Sequence, residues 1–332
     1  MTLPLNTSFS TALQSPSGLF PLQLAVDSTS LKAFKHCPRF YYYSILLGYQ
    51  TKQESVHLTF GLLVHQTLEH YHHGKASRKN HPDSLDFALD WALRATWNRE
   101  LNRPWDSGDS YKNRFTLIRT VVWYLDKYGE NDALETVILT NGKPAVELSF
   151  SFQSGFTSRL TGEPFLFCGH LDRLALLNGD AYIPDVKTTK SELNARFWAQ
   201  HNPSTQFGMY LLAGEIVYKL PVKGLIVDGA QVQVGNSRFD RHLITKDQFQ
   251  MEEFYSGTGR WLTRMEACAE HAFNTIAGDP AAAYEMNEES CSKYNGCEFQ
   301  SICSRSPGSR QQWLDAGFKK RVWDPLQRRG DI

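Results

Sequence analysis

The sequence predicts an α/β protein: a mixed sheet flanked by helices, with a helical elaboration on its N-terminal side. Three observations carry this. Residues 27–128 place apolar side chains at helical spacing. Residues 144–188 switch to period-two alternation and contain a strand–turn–strand signal at Asn178-Gly179-Asp180. Residues 203–277 then return to helix, strands and helix in turn. With 332 residues, 41% hydrophobic and 21% charged, the chain can bury the core of one large domain or two ordinary ones.

The elements follow in order. Residues 1–26 are low in charge and read as a flexible arm, and residues 27–305 as one domain. Asp27-Ser28-Thr29-Ser30 is an N-cap signal for a helix that continues through the aromatic run Phe40 to Tyr43. A second helix covers about 59–73 and sets His65 and Glu69 on one face. Helices over 84–102 and 110–128 are separated by a breaker at Arg103-Pro104 to Gly108. Strands are expected at 144–153, 165–176, 181–188, 222–234 and 238–244, and helices at 203–219 and 246–277. Residues 306–332 read as a basic tail.

Composition narrows the function classes. There is no run of eighteen apolar residues and hence no membrane span, and residues 1–18 lack the charged start and apolar core of a signal peptide. The cytoplasm is the expected location. A formal net charge of zero weighs against a protein that coats nucleic acid. It leaves room for an enzyme with a local basic track, for which Lys187, Lys190 and Arg196 form one candidate. The phosphate-loop pattern of helicases is absent, so a helicase or recombinase partner would be a separate chain.

Two strings carry the chemistry: Gly169-His170-Leu171-Asp172-Arg173 and Asp185-Val186-Lys187-Thr188. A strand has a period of two, so Asp185 and Lys187 point to one face. If residues 165–188 form neighbouring strands, Asp172, Asp185 and Lys187 converge. Two acids that hold a hard cation, beside a lysine that stabilises charge, suit a metal-dependent phosphodiesterase.

The ordered set G-x-x-x-H-x-x-L-E (61–69), G-x-x-D-R (169–173), D-x-K-T (185–188) and Q-x-x-x-Y (206–210) closely resembles the RecB-type nucleases of the PD-(D/E)XK superfamily. That group includes CRISPR-associated Fe–S exonucleases, recombination and repair nucleases and phage-encoded relatives. The resemblance implies a restriction-endonuclease-like core. Asp172 and Asp185 would bind Mg²⁺ or Mn²⁺, with His65 and the Val186 carbonyl as further ligands, and the imidazole would favour Mn²⁺. Lys187 would orient the attacking water, and Gln206 and Tyr210 would position the DNA strand. Glu69 would orient His65, and Glu147 would support the site from the preceding strand. The implied activity is a DNA exonuclease on single-stranded or end-containing DNA. A structure-specific or nicking endonuclease, and a non-catalytic DNA-binding module of the same fold, stand as alternatives.

The six cysteines are Cys37, Cys168, Cys268, Cys291, Cys297 and Cys303. In a reducing compartment, three of them within thirteen residues favour a metal over disulfides. Fe–S members of the resembled family use one cysteine in a C-P-x-x-F-Y context, as at Cys37, and three near the C-terminus. The resemblance thus implies a 4Fe–4S cluster on Cys37, Cys291, Cys297 and Cys303, stapling the chain ends. The spacing here is C-x5-C-x5-C, where family members often have C-x2-C-x5-C, and a structural Zn²⁺ on the same thiolates stays open.

Overall fold

The structure is a computed structural model that describes residues 21–53, 55–77, 79–274, 279–293 and 296–327. Most of the arm expected over 1–26 lies outside the described residues. In chain order the elements are β1 (Ala25–Val26), α1 (Ser28–His36), α2 (Pro38–Tyr41), a π-helical turn (Tyr42–Leu46), β2 (Tyr49–Thr51), α3 (Val56–Ala76), α4 (His81–Ala95), β3 (Trp97–Asn98), β4 (Arg103–Pro104) and α5 (Arg114–Tyr128). They continue with β5 (Glu135–Thr136), β6 (Val146–Thr157), β7 (Pro164–Arg173), β8 (Ala175–Leu177), β9 (Asp180–Thr189), α6 (Ala195–Ala199), α7 (Thr205–Ile216), β10 (Val222–Val232), β11 (Ser237–Ile244) and α8 (Gln248–Asn274). Two 3-10 turns (Pro280–Ala283, Glu288–Ser290), α9 (Gln300–Cys303), α10 (Pro307–Gly317) and β12 (Phe318–Lys320) complete the chain. Among the described residues, no helix is long and apolar enough to cross a membrane.

The chain divides into two compact units, where the sequence suggested one domain over 27–305. One draws on Met1–Gln53, Ser151–Gly169 and Gln248–Arg328, the other on Glu54–Phe150 and His170–Asp247. The second unit is built on the sheet β11-β10-β9-β8-β5. Strands β9 and β10 run parallel, with Asp185 beside Val227 and Val186 beside Asp228. The β8–β9 hairpin turns through Asn178-Gly179, both at positive φ (53° and 87°), the conformation Asn-Gly favours in a two-residue turn.

Adjacent residues of a strand face opposite sides, which fixes the layers. Val186 packs into a core with Phe60, Val64 and Leu68 of α3 and Val121 and Tyr124 of α5. Its neighbour Asp185 meets Gln206 of α7. Helices α3 and α5 therefore cover one face of the sheet and α7 the other. Gly214 lets α7 approach β10 closely, since a Cβ there would lie 2.4 Å from Val222. The mixed sheet between helices is the architecture expected from the sequence.

In the first unit, the single helix expected from Asp27 onward is interrupted. Cys37 is extended (φ −163°), and Pro38, which lacks an N–H, starts a new helix there. Strand β1 pairs in parallel with β7 through Ala25 and Val26, so part of the expected arm is packed. Part of the expected tail is also packed: β12 pairs with β2, and Leu314 of α10 is buried. Glu266 of α8, 3% exposed, accepts from Ser158 and the Arg159 N–H and so fastens the turn between β6 and β7.

Candidate active site

The site lies in the second unit. Helix α3 delivers His65, the end of β7 delivers Asp172, and the start of β6 delivers Glu147. Donor atoms of these three residues all lie within 4.8 Å of one another. His65 Nδ1 is 3.1 Å from Asp172 Oδ2 and 4.0 Å from Glu147 Oε1. Burial disfavours the imidazolium, but Asp172 and Glu147 outweigh it and raise His65 to about 9. Burial also works to raise Asp172, yet His65 and Lys187 hold its carboxyl below the ordinary value. Glu147 sits at φ 49°, in the left-handed region that glutamate adopts at a cost; such strain gathers at functional sites.

Asp172 belongs to a strand paired with β1 and β6, whereas Asp185 lies in the other sheet. The expectation that the two acids sit on adjacent strands of one sheet is corrected here: the chain turns from β7 into β8 and changes partners. A side-chain bond bridges the gap instead, with the Val186 N–H donating to Asp172 Oδ2 at 2.9 Å. Val186 thereby joins the lining of a small cavity that also holds His65, Glu69, Glu147 and Asp172.

Asp185 is fully buried and lies 2.5 Å from Lys187 Nζ. Gln206 approaches Asp185 Oδ1 at 3.4 Å and donates to the Tyr210 hydroxyl at 2.7 Å. Burial pushes Asp185 up to about 6 against the pull of Lys187, with Asp172 adding to the rise. Burial opposes the Lys187 ammonium, but Asp185 and Asp172 raise it above its ordinary value. Burial holds the Tyr210 phenol well above its usual range. The predicted residues thus form two adjoining groups, His65/Glu147/Asp172 and Asp185/Lys187/Gln206/Tyr210, coupled through the charges of Asp172 and Lys187. Glu69 pairs with His73 at 3.6 Å while lining the same cavity as His65.

Two carboxylates and one imidazole form a hard donor set with a single nitrogen, which fits Mg²⁺ or Mn²⁺. Glu147 enters this set as a possible ligand rather than as an outer support. Alternation in the sequence marked its strand but not the left-handed backbone that turns its carboxylate toward His65.

A family profile described as the PD-(D/E)XK nuclease superfamily matches residues 28–304. The chain belongs to the PD-(D/E)XK nuclease superfamily. Nucleases of this superfamily act on DNA with divalent metal ions, and the carboxylate–histidine cluster is where this member can bind one. No curated protein sequence matches the chain. Among solved structures, one described as the crystal structure of SSO0001 is 12% identical, with a TM-score of 0.23. That match covers 40% of this chain and 58% of the other.

The first unit holds Cys37, Cys291, Cys297 and Cys303, all free thiols. Burial raises Cys303 to about 11, and Cys297 and Cys37 add to the rise. Burial likewise raises Cys297, helped by Cys291 and Cys37. Cys297 thus lies within electrostatic reach of Cys37 and Cys291, and Cys303 within reach of Cys37 and Cys297. Among the described residues, no three of these sulfurs fall within 4.8 Å of one another. Protein contacts already tie their segments together: Asn287 and Ser290 donate to the His36 carbonyl, and Arg39 donates to the Tyr284 carbonyl.

Proposed function

We propose that the protein is a metal-dependent DNA exonuclease acting on single-stranded or end-containing DNA in recombination, repair or phage replication. The observation that carries the catalytic reading is the cluster of His65, Glu147 and Asp172 beside the buried Asp185–Lys187 pair. A bound Mg²⁺ or Mn²⁺ would supply Lewis-acid charge to the phosphoryl oxygens and lower the pKa of water. His65, Glu147 and Asp172 would hold it, with Asp185 and the Val186 carbonyl available from the neighbouring strand. To hold the metal, Asp172 would give up its His65 partner and His65 its proton. Lys187, held cationic by the two acids, would orient the attacking water and stabilise charge developing on the phosphoryl group. Gln206 and Tyr210 would line the strand side of the same acids.

Cys37, Cys291, Cys297 and Cys303 would carry a 4Fe–4S cluster with a structural role, and Zn²⁺ is the competing occupant. The support is the convergence of thiols from both chain ends in one unit. A broad visible band from anaerobically purified protein selects iron; a colourless protein with stoichiometric zinc selects the alternative.

The catalytic test uses end-labelled linear and closed circular DNA with Mn²⁺. Release of nucleotides from linear DNA, with circles left intact, is expected; cut circles would make the enzyme an endonuclease. Asp185→Ala and Lys187→Ala are expected to abolish cleavage while DNA binding persists. Unchanged cleavage in both variants refutes the site.

A further inference from the structure

Among the described residues, Lys112 is a buried ammonium with no salt-bridged carboxylate of its own. The residue is 4% exposed and, among the described residues, its Nζ makes one hydrogen bond, to Thr188 Oγ1 at 3.2 Å, above the ring of Phe60. The nearby acid, Asp109, is engaged by Lys190 at 2.7 Å. Two cations and one anion leave an excess positive charge. Burial, with Lys190 adding and Asp109 opposing, lowers the Lys112 pKa to about 8. The exposed His57 feels the same field: after burial, Lys112 and Lys190 depress it.

The hydrogen bond decides how Thr188 can act. Its oxygen accepts from Lys112, so its own O–H is directed away from Lys112 and can donate. Among the described residues, that proton has no acceptor. Thr188 also shares its face of β9 with Val186, the face covered by α3. It lies opposite Gly61, whose Cβ position is 3.8 Å from Thr188 Oγ1. Gly61 precedes His65 by one helical turn, a rise of about 6 Å. A nucleic-acid strand advances about 3.4 Å per nucleotide, so this spot lies within roughly two nucleotides of the metal cluster.

We propose that Thr188, Lys112 and Lys190 form a phosphate-binding site for the substrate strand. The Thr188 hydroxyl and the half-exposed Lys190 would touch the phosphate, and Lys112 would act from behind Thr188 as a positioning charge. The proposal rests on the nuclease reading above and specifies how that site holds its strand. It also gives the threonine of the D-x-K-T string a task separate from metal binding.

The test measures binding of the full chain to a fluorescent single-stranded oligonucleotide in EDTA across a salt series. Lys112→Met and Thr188→Val are expected to weaken binding roughly tenfold at low salt. For Lys112→Met, which removes a positive charge, the slope of log affinity against log salt should also fall by about 0.7, the value for one phosphate no longer neutralised on a single strand, while Thr188→Val, which removes no charge, should keep the wild-type slope. Thr188→Ser, which keeps the hydroxyl, is expected to bind like wild type, and the Thr188 pair decides the matter if Lys112→Met does not fold. Cooperative melting checks each variant. Folded Lys112→Met and Thr188→Val with wild-type affinity and slope overturn the phosphate site and leave the nuclease reading standing. Wild-type protein that binds no DNA overturns both. Oligonucleotides with 5′-phosphate and 5′-hydroxyl ends identify the source: a defect confined to the phosphorylated one assigns a terminal phosphate, and an equal defect assigns an internal one.

Discussion

Asp132→Ala should destabilise the nuclease unit far more than loss of an ordinary ion pair. Asp132 joins two arginines, accepting from Arg241 Nη1 and Nη2 at 2.5 and 3.1 Å and from Arg173 at 3.3 Å. Arg241 has a second acid, the fully buried Asp228, which also accepts from the Tyr124 hydroxyl at 2.5 Å. Arg173 feels the charge of Asp228 too but, among the described residues, makes no hydrogen bond to a second acid. Its side chain is 7% exposed, and without Asp132 its remaining side-chain hydrogen-bond contact among the described residues is the 3.4 Å one to His72. Breaking a buried pair from one side costs about 3–5 kcal/mol, because the remaining charge stays desolvated. The control is Asp90→Ala, which removes an exposed helical pair with Arg94 at 2.9 Å, worth about 0.3–0.5 kcal/mol. Urea unfolding of the two variants should differ by at least about 2 kcal/mol. Asp132→Ala that costs less than about 1 kcal/mol would refute the reasoning, since Arg173 would then have to be solvated or re-paired at no cost. The pH dependence has a definite sign. Burial works to raise the Asp132 carboxyl, but Arg241 and Arg173 hold it below its ordinary 3.8. Its contribution is therefore present above that value and lost as pH falls below it, and the variant should lack this acid-side loss.

Three further outcomes are expected. Lys112 is lowered from 10.5 to about 8, chiefly by burial, so the unfolded chain binds its proton more tightly; stability should rise by up to roughly 3 kcal/mol between pH 8 and 10.5, and Lys112→Met should flatten that rise in unfolding curves. Gly61→Ala should stabilise α3 by about 0.5–1 kcal/mol, because the added Cβ meets Thr188 only at 3.8 Å; a lowered melting temperature would show that the position is tighter than this distance implies. Glu147→Gln should weaken Mn²⁺ binding at least tenfold by titration calorimetry and Glu69→Gln less, since only Glu147 joins the three-donor cluster; the opposite order would return Glu147 to an outer role.

Much of the fold was legible because its signals are local. The Asn178-Gly179 turn, the shared face of Asp185 and Lys187, and the Gln206–Tyr210 contact all follow from short spacings, and each occurs where the period places it. Helix limits shifted by up to seven residues, at the end of α4, and the break at Cys37-Pro38 was missed, because the aromatic run beyond it keeps helical spacing although proline cannot donate the helical hydrogen bond. Strand partnership was not legible: Asp172 and Asp185 lie about a dozen residues apart in sequence, yet their strands hydrogen-bond in different sheets.

By itself the sequence determined an α/β fold of the nuclease superfamily and the faces of the elements that carry Asp172, Asp185 and Lys187, because these depend on residue type and a repeat of two or 3.6. Only the tertiary structure decided which donors share a site. Glu147 reaches His65 through a left-handed backbone at the head of β6, and Lys112 reaches Thr188 across 76 residues of chain. Asp132 gathers two arginines from separate strands. Such long-range pairings are set by how layers pack and by the need to match buried charge, and neither leaves a periodic trace in the sequence.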